Sequence, residues 1–236
     1  MAKKWRTNRG MLILSMDTTS FNGSVALLEG NKLIAEVNSD SFITHSERLL
    51  PSIDLMLKTK GLHIKDINGF ALAVGPGSFT GIRIGMSTVK SMAFVVQKKV
   101  APVSNLKASA LKLRGPYVRL MCPMIDAKKG EIYAALYESD GLGLKEIIHQ
   151  TCSTPDLFLS QLPSNRLIHF IGSGCQTYKK EIFKYLKDKA RFSLRSLFTA
   201  YEVGQLGHEI FMEKKEVDFR EIEPLYLRKS QAEENY

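Results

Sequence analysis

Apolar residues fall in short blocks separated by polar turns, and the blocks switch between two periods. Runs at 11–16, 24–28 and 32–37 have the length and composition of strands. Glu29-Gly30-Asn31 joins the last two as a hairpin turn. Residues 45–60 carry Leu49, Leu50, Ile53, Met56 and Leu57 at helical spacing. Thr44-His45-Ser46-Glu47 reads as a capping box ahead of that stripe. Pro51 lies inside it and is expected to kink the helix or force a later start. A strand at 70–74 runs into the turn Gly75-Pro76-Gly77-Ser78-Phe79, followed by a helix at 80–97. A strand near 100–103 and a short helix at 105–113 end this half.

The order then repeats. A strand at 118–125 ends at Asp126, as the strand at 11–16 ends at Asp17. Two more strands follow, at 131–137 and about 144–149, then a helical segment at 155–161. A strand at 167–171 runs into Gly172-x-Gly174, echoing Gly75-x-Gly77. A helix at 176–187, an extended piece near 191–194 and a long helix at 197–214 close the second half. Arg114-Gly115-Pro116 marks the seam. The expected domains are a basic, disordered extension over 1–10, an N-terminal subdomain over 11–114 and a C-terminal one over 115–236. Two such βββαβα units, each with an Asp ending its first strand, have the layout of actin-like, sugar-kinase and Hsp70 ATPases. In those proteins the two Asp turns hold phosphate and metal, and the second Gly pair lies near the nucleoside.

Charge adds a little to this picture. The net charge of +9 includes four cations within residues 1–10, leaving a mild excess on the body that suits an anionic partner. No apolar run reaches the ~18–20 residues of a membrane span. Three scattered cysteines without a CxxC pair argue against a zinc site or disulfide framework and fit a reduced, cytoplasmic setting.

Candidate chemistry centres on turns. Asp17-Thr18-Thr19-Ser20 can hold a phosphate or, through water, a metal; equally, it can cap a strand end. Asp126, with Lys128 and Lys129 behind it, is the second such turn, and Gly172 and Gly174 complete a nucleotide-cleft set. The loop at 75–85 fits neither the P-loop, which needs Gly-Lys-Ser/Thr, nor the dinucleotide fingerprint, where Thr80 stands at the third glycine. Gly77, Gly81 and Gly85 instead recur every four residues and let another backbone come close. The helix behind them holds only Arg83 and Lys90 as charges. Ile82, Met86, Val89, Ala93 and Val96 form one apolar face, while Ile84, Met92 and Val95 lie on other sides. Such a helix is expected to be buried on two sides, either within its own subdomain or against another subunit. No His-x-x-x-His, HExxH or G-x-S-x-G occurs, and Ser78 has no base tied to it by local sequence, so a peptidase is disfavoured.

The segments ILSMDTTS, THSERLLPSIDLML, AVGPGSFTGIRIGMSTVKSMAF, IDAKKGEIYAALY, IGSG and PLYLRKSQAEE resemble the TsaB (YeaZ) family of tRNA threonylcarbamoyladenosine biosynthesis proteins, over residues 11 to about 233. The resemblance implies an α/β, actin-like ATPase (ribonuclease H-like) fold. It implies a non-catalytic subunit that pairs with and activates TsaD, the paralogue carrying a His-x-x-x-His metal motif. Together they transfer threonylcarbamoyl to adenosine 37 of ANN-decoding tRNAs, with the ATPase TsaE. It further implies a homodimer when alone and weak or indirect tRNA contact. No cofactor is expected for the chain itself, with ATP or ADP belonging to the complex. The implied pairing surface is His45, Glu47, Leu50, Ser78, Phe79, Gly81, Arg83, Gly85, Met86 and Val89. Lys128 stands where the family usually has Arg, keeping the charge without the bidentate fork. An ATP-binding or phosphotransferase enzyme of the same superfamily is the alternative.

Overall fold

A computed structural model describes residues 10–40, 45–141 and 143–228. Residues 1–9 of the basic extension, Thr44 and the end of the PLYLRKSQAEE segment lie outside the described residues. The first sheet contains β1 (Leu12–Asp17), β2 (Gly23–Glu29), β3 (Lys32–Ser39), β4 (Gly69–Gly75) and β5 (Val100–Ser104), in the order β3-β2-β1-β4-β5. The second contains β6 (Leu120–Lys128), β7 (Glu131–Ser139), β8 (Leu144–Ser153), β9 (Ile168–Ile171) and β10 (Ala190–Phe192), in the order β8-β7-β6-β9-β10.

Both sheets carry the same strand senses. The first three strands of each pair antiparallel, and the fourth and fifth join the first in parallel. Tight turns suffice for the antiparallel neighbours, whereas the parallel ones need helical crossovers. These are α1 (His45–Thr59) and α2 (Phe79–Val96) in the first half. In the second half they are α4 (Pro155–Leu159), α5 (Ser173–Thr177) and α6 (Lys179–Leu186). The chain is thus a duplicated α/β protein with the actin-like (ribonuclease H-like) strand order.

Three expectations need correction. Helix α1 continues from residue 45 through Pro51, which lies on its exposed side, so Pro51 does not force a later start. The helix expected at 176–187 is two short ones, because Tyr178 leaves helical backbone (φ −110°, ψ 29°) and packs on the second core. Most consequential, the two halves exchange their last helices. Among the described residues, one compact unit comprises those up to Asn105 with Phe198–Pro224, and the other Leu106–Leu197 with those from Leu225 onward. The boundary expected at 114 therefore falls before α3 (Asn105–Leu113), and α7 (Ala200–Met212) belongs with the first sheet.

The packing explains this exchange. In the first unit, β1 alternates so that Ser15 faces α7, donating through Oγ to the Ala200 carbonyl at 2.7 Å. Along β4, Ala71 meets Gly207 of α7 while the next residue, Leu72, meets Gly85 of α2. Successive strand residues point to opposite faces, so α7 covers one face and α2 the other. A Cβ at Gly204 would overlap Leu28, and one at Gly207 would overlap Ala71, so both glycines are what lets α7 lie close. In the second unit, Leu106, Ala110 and Leu113 of α3 pack with Met121, Tyr133, Ala135 and Tyr137. Leu120, Cys122, Met124, Ile132, Ala134 and Leu136, the alternate residues of the same strands, pack with Phe158 of α4 and Ile182 and Leu186 of α6.

Candidate functional site

The Asp17 turn is buried and turned inward. Asp17 is 1% exposed and Thr18 is fully buried. Asp17 Oδ1 accepts from the Thr19 N–H and the Thr19 hydroxyl, both at 2.7 Å, and Oδ2 accepts from the Thr199 hydroxyl at the N-cap of α7. A carboxylate at a helix N-terminus also suits the positive end of the helix dipole. Ser24 Oγ takes the Ala200 N–H at 3.0 Å, and Asn105 Nδ2 donates to the Thr19 hydroxyl. The turn therefore latches α7 to β1 and β2. The side chains of Asp17, Thr18 and Thr19 are all engaged inside the unit, which is what the plain strand-capping reading requires.

The glycine stripe has an equally internal explanation. A Cβ at Gly77 would overlap the Thr19 carbonyl oxygen, one at Gly81 the Thr18 carbonyl oxygen, and one at Gly85 the Thr18 hydroxyl. Thr18 Oγ1 donates to the Gly81 carbonyl at 2.7 Å, bonding the start of α2 directly to the turn. The backbone that approaches these glycines is the chain's own. Ser78 Oγ accepts from the Gly81 N–H at 3.2 Å as the N-cap of α2, which is the role a serine there needs no chemistry to explain.

The implied pairing residues divide accordingly. Gly81, Gly85 and Val89 are buried in the first unit and are removed from the surface set. Met86 and Phe79 are half-buried, and Glu47, Leu50, Ser78 and Arg83 are exposed. His45 opens α1, and its side chain lies outside what is described. The implied pairing set omits two exposed apolar positions beside Leu50 (55%): Val95, 72% exposed on α2, and Leu55, 60% exposed on α1. Phe94 is 62% exposed but is partly used by an edge-on contact with Phe219, ring centroids 5.8 Å apart.

In the second unit the structure does bring predicted residues together. The Asp126 N–H donates to Ser173 Oγ at 3.1 Å, between Gly172 and Gly174. Gly172 has φ +118°, and a Cβ there would overlap the Met124 carbonyl oxygen, so the β9–α5 turn crosses the end of β6 just as Gly77 crosses β1. The Asp126 carboxylate is held by its own turn: Oδ1 takes the Lys128 N–H at 2.8 Å and Oδ2 the Lys128 ammonium at 3.1 Å. Burial first, then the nearby Asp126 charge, raises the Tyr178 phenol pKa. Arg228 braces the same turn from the far end of the sequence, donating to the Ala127 carbonyl at 3.0 Å and Glu131 Oε2 at 2.9 Å. No local sequence signal marks that contact. A recess of about 230 Å³ beside Gly172 is lined by Ser173, Gln176, Phe192, Ser193, Leu194 and Arg195.

Among the described residues no three of His, Cys, Asp and Glu converge as metal ligands. Cys122 and Cys175 are buried, and burial pushes both thiols well up in pKa. Because the thiolate is the reactive form, iodoacetamide at a pH of about 8 is expected to label only Cys152 in the folded chain. All three cysteines should label in denaturant, and mass spectrometry of the alkylated protein checks this. Among the described residues no helix is long and apolar enough to cross a membrane.

Comparison with known proteins supplies a family context. The family model described as TsaD, tRNA N6-adenosine threonylcarbamoyltransferase, matches residues 39–236. The tRNA threonylcarbamoyladenosine biosynthesis protein TsaB of Escherichia coli (strain K12) is 30% identical, covering 94% of this chain and 96% of its own length. The protein of the same description from Bacillus subtilis (strain 168) is 29% identical over the same shares. The solved structure of YeaZ from Pseudomonas aeruginosa superposes with a TM-score of 0.81 at 24% identity, covering 92% of this chain and all of that one.

Proposed function

The chain belongs to the tRNA N6-adenosine threonylcarbamoyltransferase (TsaD) family and, within it, with the TsaB proteins, and from that premise we propose that it serves tRNA threonylcarbamoyladenosine biosynthesis as a non-catalytic subunit. Its role is to pair with a TsaD-type transferase and activate it for threonylcarbamoyl transfer to adenosine 37. ATP or ADP and a TsaE-type ATPase belong to the assembled complex.

The observation that carries this reading is the outer surface of α1 and α2. Helix α2 has two charges in 18 residues, and its buried face is fully used by Gly81, Ile82, Gly85, Val89 and Ala93. Apolar residues nonetheless continue around it to Ile84, Met92 and the exposed Val95, with Leu50 and Leu55 exposed on α1. A helix that is apolar beyond its core stripe has a second surface to cover. The second copy in a homodimer and the TsaD-type partner compete for that surface on this reading.

Mixing the chain with the TsaD-type protein of the same cell and separating the mixture by size exclusion with light scattering tests it. A one-to-one complex that depletes the homodimer is expected. Two unchanged elution peaks at concentrations well above a micromolar dissociation constant would count against pairing.

A further inference from the structure

Helix α6 and strand β10 carry an unusual concentration of charge. Residues 178–192 hold six cations, Lys179, Lys180, Lys184, Lys187, Lys189 and Arg191, against the carboxylates of Glu181 and Asp188. The whole chain is +9, with four cations in the first ten residues, so most of the remaining excess sits in this one segment. Its arrangement is one-sided. Ile182 and Leu186 bury the inner face of α6, Glu181 and Tyr185 are half-buried on its flank, and Lys179, Lys180, Phe183 and Lys184 are exposed. The outward face therefore reads Lys, Lys, Phe, Lys with no carboxylate. An ordinary solvated surface mixes both signs.

The aromatic at its centre is fixed in place. Phe183 is 44% exposed, and its ring lies 5.3 Å from that of Phe192, which in turn stacks on the buried Phe170 at 5.8 Å. The Lys179 ammonium sits 5.4 Å from the Phe192 ring centre and 6.0 Å from that of Phe183. Lys184 meets Asp156 only at 3.8 Å, with both side chains largely in solvent. Cations beside a fixed, exposed aromatic ring suit a polyanion that also offers flat faces, which is single-stranded or loop RNA. An anionic membrane would need an insertable apolar face, and α6 is only eight residues long with its one exposed ring pinned against β10.

We propose that the outward face of α6, with β10 beside it, is an RNA-binding surface that holds the phosphate backbone of tRNA through Lys179, Lys180 and Lys184 and stacks an unpaired base on Phe183. The choice of tRNA rests on the biosynthetic role proposed above; the phosphate-and-base chemistry does not.

Fluorescence anisotropy of an unmodified, labelled tRNA transcript with the full chain, between about 50 and 200 mM KCl, reads both parts of the proposal. The variant Lys179→Glu/Lys180→Glu/Lys184→Glu is expected to bind at least ~10-fold more weakly at the low-salt end, with its log–log salt slope reduced by about 2. The matching triple Lys→Arg variant should keep the wild-type slope. Phe183→Ser should lose about 5-fold or more with the slope unchanged, as expected for stacking. In a modification assay with the TsaD-type partner, the triple Glu variant should raise the KM for tRNA and leave kcat alone. Wild-type affinity and slope in the triple Glu variant would overturn the proposal. So would wild-type protein that binds phosphatidylserine vesicles and no tRNA. A wild-type chain that binds tRNA through this face yet supports no modification would sink the biosynthetic role instead.

Discussion

Gly81→Ala should melt about 4–12 °C below the parent chain, although helix propensity alone predicts the reverse. Alanine in a helix interior is favoured over glycine by about 1 kcal/mol. At this position the new methyl overlaps the Thr18 carbonyl oxygen, a backbone atom fixed by β1 and by the Thr18–Gly81 hydrogen bond. Overpacking of that kind costs about 3 kcal/mol or more, so the net loss is about 2–3 kcal/mol. For a chain of this size each kcal/mol moves Tm by about 2–4 °C. Gly85→Ala should lose stability as well, because its methyl meets Leu72 and the Thr18 hydroxyl, which is buried and already bonded to the Gly81 carbonyl. Differential scanning calorimetry of both variants decides the matter. If the glycines instead faced a partner subunit, Gly81→Ala would hold or raise monomer stability and weaken only association.

A charge on the outer surface should have the opposite profile. Leu50→Asp combined with Val95→Asp is expected to leave Tm within a few degrees, since both side chains are mostly in solvent and such substitutions change stability by about 0.5 kcal/mol or less. Pairing with the TsaD-type protein should fall about 30-fold or more, because each carboxylate would be desolvated against an apolar partner and central truncations or unpaired charges cost at least ~2 kcal/mol. Titration calorimetry of the complex gives the number. Val89→Asp is not an equivalent test: Val89 is fully buried, and a charge there should unfold the first unit rather than dissociate it.

The duplicated architecture was legible because its signals are local. Strand, Asp and polar turn recur at Asp17 and Asp126, and strand-Gly-x-Gly recurs at Gly75 and Gly172. Each pair does the same job, a glycine turn crossing the end of the first strand. Spacing also said that something comes close to Gly77, Gly81 and Gly85. It did not say whose backbone, because Thr18 and Thr19 lie some sixty residues earlier in the chain. The exchange of α3 and α7 was hidden for the same reason. The Thr199–Asp17 bond joins residues 182 apart, and an amphipathic helix fits either sheet by pattern alone. In the site, the residue types on α1 and α2 were readable, but which of them face outward was not. Val95 and Leu55 emerge only once Gly81, Val89 and Leu57 are seen to take the inner faces.

On the proposed reading, the outer surface of α1 and α2 joins this chain to a TsaD-type transferase and makes that transferase active. The most direct measurement is the amount of threonylcarbamoyladenosine formed on tRNA, by nucleoside chromatography with mass detection, in a reaction reconstituted with TsaD- and TsaE-type proteins of the same cell. Product is expected with the parent chain, little without it, and little with the folded Leu50→Asp/Val95→Asp variant. Full product from the variant, or from a reaction lacking the chain altogether, would contradict it.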